Sequence, residues 1–341
     1  MISTFDPLVD WRWRERVWQD PRASAFHTPE WLDALRRTYG FTPVGYAKGG
    51  EHLRSAIPFC VVTSWLTGRR LVSLPFSDHC EPLVDDPTSL GEILERVASE
   101  ARRSGWRYVQ TRPLIPCGGL SRFESEEPSY HYAIDLRPDL EALFKGIRYD
   151  NRKDIRRAER SQLRHVVGRD RTFVDAYFKL HVLTRSTQGV PPQPHAWFRN
   201  LAACLGEMLD IHLLLDGDVP IAGLVTILFR DKLMWKYSAS HPVLDRAGMG
   251  KSLMWRSIAS GKAHGASWLD MGRVEATNAG LAQFKERFGA LRSELVYLRY
   301  PPAPVDRRRP SWVGGVARSI GPHLPVTVLA AAGRVAYRHV A

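Results

Sequence analysis

The sequence repeats one succession of predicted elements, and this repeat constrains the fold more than any single motif. Helix, β-hairpin, strand, helix and strand are predicted in that order over residues 29–112 and again over residues 195–272. The matching residues are Trp31 and Trp197, Gly50 and Gly217, Ala56 and Ala222, and Gly105 and Gly265. The separation between matching residues stays at about 160–167 residues, which predicts two tandem copies of one α/β unit. Two α/β domains that look alike by chance are the alternative.

The second copy carries the clearer element signals. Asp216-Gly217-Asp218 and Arg230-Asp231 interrupt apolar runs and predict hairpin turns. In the run KSLMWRSIASGKAHG, apolar residues recur at helical spacing, and Gly265 stands where a helix would end. These apolar residues are Leu253, Met254, Ile258 and Ala259.

A glycine-bearing turn, residues 245–250, precedes this predicted helix. Gly248 and Gly250 would let an anion approach the free N–H groups at the start of a helix, which predicts a phosphate site. A glycine pair before a helix is more often simple structural punctuation. Asp245 also places an acid beside the proposed anion site, which argues against ordinary coenzyme A binding there.

Length and charge bound the class of protein. The chain has 341 residues and a net charge of +12, which predicts two domains and an anionic partner such as nucleic acid, a phospholipid surface or a phosphorylated substrate. The predicted domains are residues 1–138, a degenerate copy, residues 139–300, the functional copy, and a basic tail over residues 301–341. The four scattered cysteines form no C-x-x-C pair and predict buried thiols, with no metal site.

The sequence shows neither a secretory signal nor an apolar run long enough to span a bilayer. We therefore expect a cytoplasmic protein, either free or peripheral at the inner face of the membrane. The tail combines a proline-rich basic spacer with an apolar segment that contains several arginines. This mixture fits a helix lying on an anionic bilayer, and a helix packed on the first copy fits equally well.

A strongly basic segment, EALFKGIRYDNRKDIRRAERSQL, joins the two copies. Leu143, Ile147, Ile155 and Ala158 give it an apolar stripe, and basic residues crowd its other faces. We expect a helix whose Arg152, Lys153 and Arg156 bind phosphate. An exposed linker helix is the equal alternative.

The next segment, LHVLTRSTQGVPPQPHAWF, predicts a stiff loop. Gly189 and three prolines stop any helix, and Arg185, Gln188 and Gln193 could extend from the loop into a cleft. A rigid connector between the domains explains the same residues. Tyr237, on the predicted strand KLMWKYSAS, is a further candidate for substrate binding.

The first copy differs from the second copy at the turn where an anion would bind. Its turn before the second helix, DHCEPLVDDPTSLGE, is acidic and lacks a paired-glycine loop, so that an anion would be repelled. We therefore interpret this copy as a degenerate scaffold that forms one wall of a shared cleft. The neighbours Asp78 and His79 are more typical of a hydrogen-bonded turn than of a catalytic dyad.

Several of these runs together resemble the Fem family of peptidoglycan-bridge aminoacyltransferases and their FemAB-like relatives in exopolysaccharide gene neighbourhoods. The residues that carry the resemblance are RYDNRKDIRRAER, TRSTQGVPPQPHAWF, WLDMGR and GLAQFKERFGA. The resemblance covers roughly residues 5–300 and implies tandem GNAT-like acyl-CoA N-acyltransferase domains, of mixed α/β class, with a shared cleft. The family's Phe-Lys pair falls on Phe284 and Lys285, and its strand end falls on Asp270, Met271 and Gly272, followed by Arg273.

The resemblance also implies the reaction. An acyl or aminoacyl group would pass to an amine on a glycan or peptide precursor, which is lipid-linked in the Fem enzymes. The co-substrate would be an acyl-CoA or an aminoacyl-tRNA, with no bound cofactor and no metal. This chain lacks the long helical arm that some members use for tRNA, and Met271 replaces an aromatic residue of the family.

Acyl transfer to an amine requires a positioned neutral amine and donors for the developing oxyanion, and it needs no covalent intermediate. Asp270 is the candidate orienter or base for the amine, and Lys285 is the candidate cation for donor phosphate or oxyanion. For Asp270 the alternatives are a helix cap or a partner of Arg273. For Lys285 the alternative is an ordinary surface lysine on an amphipathic helix. The alternative function is a noncatalytic binding protein for nucleic acid or membranes that retains the fold.

Overall fold

The computed structural model describes residues 1–115, 122–244, 249–301 and 326–339. Within these residues the chain divides into two compact units, one within Met1–His131, Glu294–Arg307 and Tyr337–Ala341, the other within Tyr132–Ser293 and Arg308–Ala336. The division between His131 and Tyr132 lies a few residues before the predicted one at 138/139. No described helix is long and apolar enough to cross a bilayer.

The first unit contains a mixed sheet with helices packed on it. Its strands are β1 Ile2–Phe5, β2 Thr42–Gly49, β3 Leu53–Ser64, β4 Gly68–Ser73, β5 Tyr108–Thr111, β6 Glu124–Ser125 and β14 Leu298–Tyr300. Its helices are α1 Trp11–Gln19, α2 Pro29–Tyr39 and α3 Pro87–Arg103. The strand order is β1-β2-β3-β4-β5-β14-β6, and β4 and β5 run parallel because α3 connects them.

The second unit repeats this arrangement. Its sheet is formed by β7 Ser129–Asp135, β8 Arg164–Gly168, β9 Leu209–Asp216, β10 Val219–Phe229, β11 Lys232–Ser240, β12 Trp268–Glu275 and β13 Leu291–Leu295. Its helices are α4 Leu140–Gly146, α5 Tyr149–Glu159, α6 Arg171–Thr187, α7 His195–Leu205, α8 Met249–Ala263, α9 Ala279–Glu286 and α10 Val326–Ala336. The order is β13-β7-β12-β11-β10-β9-β8.

The predicted duplication is confirmed by the two strand orders. The series β2-β3-β4-α3-β5 matches β9-β10-β11-α8-β12 in order and direction, with one parallel pair at the same place in each sheet. The fold is therefore a tandem of GNAT-like α/β units. β14 follows every strand of the second sheet in sequence but lies in the first sheet, between β5 and β6.

Local sequence signals explain the element boundaries. Helix α2 begins where Thr28 accepts a hydrogen bond from the N–H of Trp31, with Pro29 in the first turn, and ends at Gly40 with φ +72°. The predicted hairpin turn at Gly217 and the predicted helix end at Gly265 are confirmed, with φ angles of +59° and +89°. Glycine adopts these left-handed angles without the steric cost that a Cβ imposes.

Each sheet buries an apolar face under helices. In the first unit Ile93, Leu94 and Val97 of α3 pack on strand residues such as Phe59 and Leu71. In the second unit Leu253 of α8 packs on a cluster formed by Leu214, Ile221, Ala222 and Leu224. The helical stripe predicted around Leu253, Met254 and Ile258 is confirmed, because all three are buried.

The basic segment between the copies forms two helices, so the single predicted helix was wrong. The backbone at Ile147 is extended, with ψ 138°, and separates α4 from α5. Arg152 stabilises the break, since its Nη1 donates to the carbonyls of Lys145 and Ile147 at 2.7 and 2.5 Å. Ile147, Ile155 and Ala158 of the predicted stripe are buried.

Helix α10 packs on α6 within the second unit, whereas the sequence left open only a bilayer surface or the first copy. Leu329 is buried, and Gly333 approaches the carbonyl of Pro192 so closely that a Cβ would lie 2.0 Å from its oxygen. The predicted spacer before α10 lies outside the described residues.

Candidate functional site

A cavity of about 400 Å³ lies in the second unit beside the first turn of α8. The end of α6, strands β10 and β11, helix α8 and helix α9 contribute its walls. Its lining residues are Thr184, Gln188, Ala222, Gly223, Leu224, Trp235, Ser238, Ala239, Ser240, Gly250, Lys251, Leu253 and Phe284. Hydroxyl, amide and ammonium groups thus share the cavity with two aromatic rings.

Strands β11 and β12 diverge beside this cavity. They pair at three positions, Lys232 with Trp268, Leu233 with Leu269 and Met234 with Asp270. Beyond Met234 and Asp270 both strands continue, to Ser240 and Glu275, with no further register between their described residues. Unpaired strand edges offer backbone N–H and C=O groups that an extended ligand can bind.

A bulge in β11 decides which aromatic residue enters the cavity. The register between β10 and β11 shifts so that Thr226 faces Trp235 and Val225 faces Tyr237. Residues two apart on a regular strand share a face, and the extra residue Lys236 breaks this rule. Trp235 consequently packs on Phe284, with ring centroids 5.9 Å apart, while Tyr237 accepts a hydrogen bond from Trp197 Nε1 at 2.9 Å.

Thr184 fixes the open end of β11. Its hydroxyl donates to the carbonyl of Ser240 at 2.9 Å and accepts from the N–H of Ser240 at 2.8 Å. Strand β11 is therefore held by α6 at the point where it has left β12. This contact stabilises the divergence without filling the cavity.

Asp270 and Lys285 lie close to the same turn of backbone. Asp270 Oδ1 accepts the N–H of Gly272 at 2.7 Å, and Lys285 Nζ donates to the carbonyls of Gly272 and Arg273 at 3.0 and 3.4 Å. The ammonium group also lies 5.5 Å from the ring centroid of Tyr132. Lys285 is buried, so its interpretation as an ordinary surface lysine was wrong.

A buried polar cluster supports the α6 side of the site. His181 Nε2 and Gln193 Oε1 lie 2.8 Å apart, and the ring of His181 packs on Phe198. Burial lowers the pKa of His181 to about 3, so that the ring is neutral near pH 7. Burial likewise raises the pKa of Tyr177 well above its ordinary value. These residues hold α6 against β11 and carry no charge there.

Residues 145–286, which include the cavity and the diverging strands, match the family model described as the acetyltransferase (GNAT) domain. The structure of FemX matches with a TM-score of 0.70 at 12% identity, over 86% of this chain and 96% of that chain. The second unit therefore matches a GNAT acetyltransferase domain, and the chain shares its fold with FemX.

Two further solved structures share the fold of this chain. One is the C-terminal domain of an Agrobacterium fabrum protein described as a lysylphosphatidylglycerol synthetase, with TM-score 0.59, 11% identity and coverage of 95% and 97%. The other is a tandem GNAT protein of the clavulanic acid biosynthesis pathway, with TM-score 0.57, 10% identity and coverage of 90% and 100%. No curated protein matches the sequence.

The structure brings only part of the predicted site to the cavity of the GNAT domain. Gln188, Gly250 and Phe284 line it, and Arg185 Nη1 donates to Gln188 Oε1 at 3.2 Å. Arg185 belongs to helix α6, so its predicted place on a loop was wrong. Gly248 lies outside the described residues.

The other predicted residues do not line the cavity. Arg152 binds carbonyls of α4, and Arg156 lies over the ring of Phe144 at 5.3 Å, while Lys153 is exposed. Gln193 and Tyr237 belong to the cluster between α6, α7 and β11. Gly272 supplies a carbonyl to Lys285 at a φ of +74°. Arg273 Nη1 lies 3.8 Å from Glu275 Oε1.

Sequence reasoning missed Thr184, Trp235 and Lys251. Lys251 directly follows Gly250, so a basic residue in the first helical turn was a usable signal. Thr184 gave no such signal, because its function depends on a strand 56 residues further along the chain. Trp235 depends on the bulge at Lys236, which no local pattern marks.

Proposed function

We propose that the second unit transfers an acyl group from a phosphate-bearing donor to an amine. The observation that carries the proposal is the divergence of β11 from β12 beside the first turn of α8, where a cavity opens. An extended donor arm can pair with the free edge of β11, while its phosphates meet the N–H groups of α8. The match of residues 145–286 to the GNAT domain supports this use of the site.

The positive charge around α8 suits such a donor. Lys251, in the first turn, forms an ion pair with Asp154 of α5 and so holds α5 beside α8. Lys153 and Arg157 of α5 and Arg160, directly after it, are exposed, and none forms an ion pair within the described part of the chain. Cations along one helix favour an anion larger than a single phosphate.

The reaction needs a neutral amine at the donor carbonyl. The amine nitrogen forms a bond to the acyl carbon, the acyl–sulfur or acyl–oxygen bond of the donor breaks, and the leaving group takes a proton as the amine loses one. Asp270, half-buried at the divergence, is our candidate for orienting the amine and receiving its proton. Backbone N–H groups at the open edge are candidates for stabilising the oxyanion.

Lys285 is our candidate for positioning the end of β12. Its ammonium group contacts two carbonyls of that segment, and Phe284 beside it reaches the cavity. A direct contact with donor phosphate or oxyanion is the other function for this ammonium group. The two functions make different predictions for the stability of a variant, as described in the Discussion.

The donor and acceptor classes follow from the resemblance to Fem proteins. An acyl-CoA or an aminoacyl-tRNA would be the donor, and a glycan- or peptide-linked amine of a cell-envelope precursor would be the acceptor. The fold shared with FemX, and with a protein whose name joins a lysyl group to a phospholipid, supports envelope chemistry. The exposed cations of α5 favour the tRNA donor over coenzyme A.

The test uses the purified full chain with a panel of acyl-CoAs and charged tRNAs, read as thermal stabilisation and as transfer to amine acceptors. Ser238 is exposed and lines the cavity, so Ser238→Trp should obstruct it without disturbing the core. We expect donor-dependent stabilisation and turnover with the wild type and a loss of at least about tenfold with this variant.

Ser293→Trp on β13 is the matched control, since Ser293 is also exposed but lies outside the cavity. Turnover that survives Ser238→Trp unchanged would contradict the proposed site. Salt-sensitive tRNA binding without any turnover would instead support the noncatalytic binding protein.

A further inference from the structure

The turn between β3 and β4 in the first unit exposes two large apolar side chains next to each other. Trp65 is 84% exposed and Leu66 is 63% exposed, whereas Trp13 and Trp31 of the same unit are fully buried. Exposure of an adjacent tryptophan and leucine costs solvation free energy unless a partner covers them. We call Trp65, Leu66 and their turn the β3–β4 tip.

The backbone of the β3–β4 tip is held by its own side chains. The Ser64 hydroxyl accepts the N–H groups of Leu66 and Thr67 at 3.1 and 2.9 Å. The carbonyl of Thr67 accepts from Arg107 Nη1 at 3.3 Å. A turn whose polar groups are already hydrogen-bonded can enter an apolar environment at less cost than one that leaves them open.

The C-terminal turn makes the base of the tip rigid. His339 is buried, and its Nδ1 lies 2.9 Å from Ser64 Oγ. Its carbonyl accepts from Thr67 Oγ1 at 3.0 Å and from Arg70 Nη2 at 2.8 Å. The two apolar side chains therefore project from a fixed platform, so little conformational entropy is lost when they bind.

Exposed arginines surround the β3–β4 tip. Arg69 follows the turn, Arg107 runs along it to Thr67, and Arg338 precedes the anchoring His339. None of the three forms an ion pair with a carboxylate anywhere in the described residues. Arginines beside exposed apolar side chains are complementary to an anionic bilayer, in which acyl chains lie beneath negative headgroups.

We propose that the β3–β4 tip docks the protein on an anionic phospholipid bilayer. Trp65 and Leu66 enter the interface, where tryptophan is favoured, and Arg69, Arg107 and Arg338 contact the headgroups. This surface is centred on the turn between β3 and β4, and only Arg338 comes from the C-terminal segment that the sequence suggested for membrane contact. It lies in the first unit, outside the cavity of the GNAT domain.

Two other occupants fit the tip less well. A second copy of the chain would need about 1,200 Å² of buried surface for a stable interface, and two side chains offer far less. Single-stranded nucleic acid could stack a base on Trp65, but Leu66 gains nothing from a base and does gain from an acyl environment.

The experiment compares flotation of the full chain with phosphatidylcholine vesicles and with equimolar phosphatidylcholine–phosphatidylglycerol vesicles. We expect binding to the anionic vesicles and little to the neutral ones. The double variant Trp65→Ser/Leu66→Ser should bind at least about tenfold more weakly. Arg69→Glu and Arg107→Glu should each weaken binding by about fivefold or more, since each cation contributes about 1 kcal/mol near such a surface.

Matched controls separate the tip from general charge and general exposure. Trp11→Ser removes a tryptophan that is 64% exposed, next to an Arg12 already paired with Asp10. Arg54→Glu reverses an exposed arginine near the opposite end of β3. Both control variants should float like the wild type, and melting curves of all variants should coincide because every altered residue is exposed.

Three outcomes would overturn the proposal. They are no binding of the wild type to anionic vesicles, equal losses in the control variants, and undiminished binding of the Trp65→Ser/Leu66→Ser variant. Concentration-dependent self-association or single-stranded RNA binding that disappears with this variant, without lipid binding, would assign the tip to that other partner.

Discussion

The two sheets share a strand order but differ where the parallel pair ends. In the first sheet β4 and β5 pair up to their last residues, Ser73 and Thr111. In the second sheet β11 and β12 separate after Met234 and Asp270, and a cavity lies beside the open edge. One topology can therefore serve as a closed scaffold or as a binding site, depending on how far two strands stay paired.

The helices that follow these strands differ as well. The first turn of α3 is occupied by Asp86, whose Oδ1 accepts the N–H of Ser89 at 2.8 Å. The Ser89 hydroxyl also donates to Asp86 Oδ2 at 2.7 Å, and this hydrogen bond is the main cause that lowers the pKa of Asp86, so the carboxylate is charged at neutral pH. The first turn of α8 contains Lys251 at the cavity. An anion is repelled by the first arrangement, in agreement with the acidic turn that the sequence shows, whereas the second presents an ammonium group that is paired with Asp154.

The largest expected effect concerns the histidines buried in the second unit. His165 Nε2 lies 3.1 Å from His212 Nδ1, and His212 Nε2 lies 3.1 Å from Thr226 Oγ1. Burial lowers the pKa of His165 to about 4 and that of His212 to about 3. Both rings are neutral in the folded protein at pH 5, whereas the unfolded chain binds protons below about pH 6.5.

Stability should therefore be complete above about pH 6.5 and fall towards pH 4, by about 1.4 kcal/mol per pH unit for the buried His212 and by less for the half-buried His165, whose charge solvent screens. His212→Gln should lower stability at pH 7 but give a shallower decline on acidification. Urea unfolding at a series of pH values measures the stability at pH 7 and its decline on acidification. The variant His264→Gln, at an exposed histidine, is the control. Parallel pH profiles for the wild type and His212→Gln would show that burial of this histidine does not govern the acid sensitivity.

A smaller effect is expected at the end of β12. Lys285→Met removes the donor to the carbonyls of Gly272 and Arg273, which should lower the free energy of unfolding by about 1–3 kcal/mol. Lys153→Met, at an exposed lysine, should leave it unchanged. The alternative result is a Lys285→Met variant with weakened donor binding and an unchanged melting temperature. That result would assign the ammonium group to the donor and remove it from the scaffold.

The smallest expected effect tests the difference between the starts of helices α3 and α8. Asp86→Ala removes the carboxylate that caps α3, so the melting temperature should fall by about 2–4 °C while donor binding in the second unit stays the same. Differential scanning calorimetry measures the melting temperature, and thermal stabilisation by the donor measures donor binding. Glu51→Ala, at an exposed position of the same unit, serves as the control. A change in donor binding with Asp86→Ala would break the distinction between an inert and a functional copy.

The duplicated order of helices and strands could be predicted from the sequence because each element carries its own local signal. Turn residues such as Gly217 and Gly265, and the buried spacing of Leu253 and Ile258, follow from rules that span a few residues. The break between α4 and α5 at Ile147 could not be predicted from the sequence. It is stabilised by Arg152, whose side chain donates hydrogen bonds to the carbonyls of Lys145 and Ile147. The predicted cleft between the copies, and the functions of Asp270 and Lys285, stay predictions.

By itself the sequence determined the duplicated α/β order, the basic segment between the copies and the acidic start of α3, because apolar periodicity, glycine turns and charge are local properties. Only the tertiary structure decided that β11 and β12 diverge, that a bulge turns Trp235 towards Phe284, and that Lys285 is buried. It also placed β14 in the first sheet and α10 on α6. Such features depend on contacts between residues far apart in the chain, whose free energies no short pattern encodes.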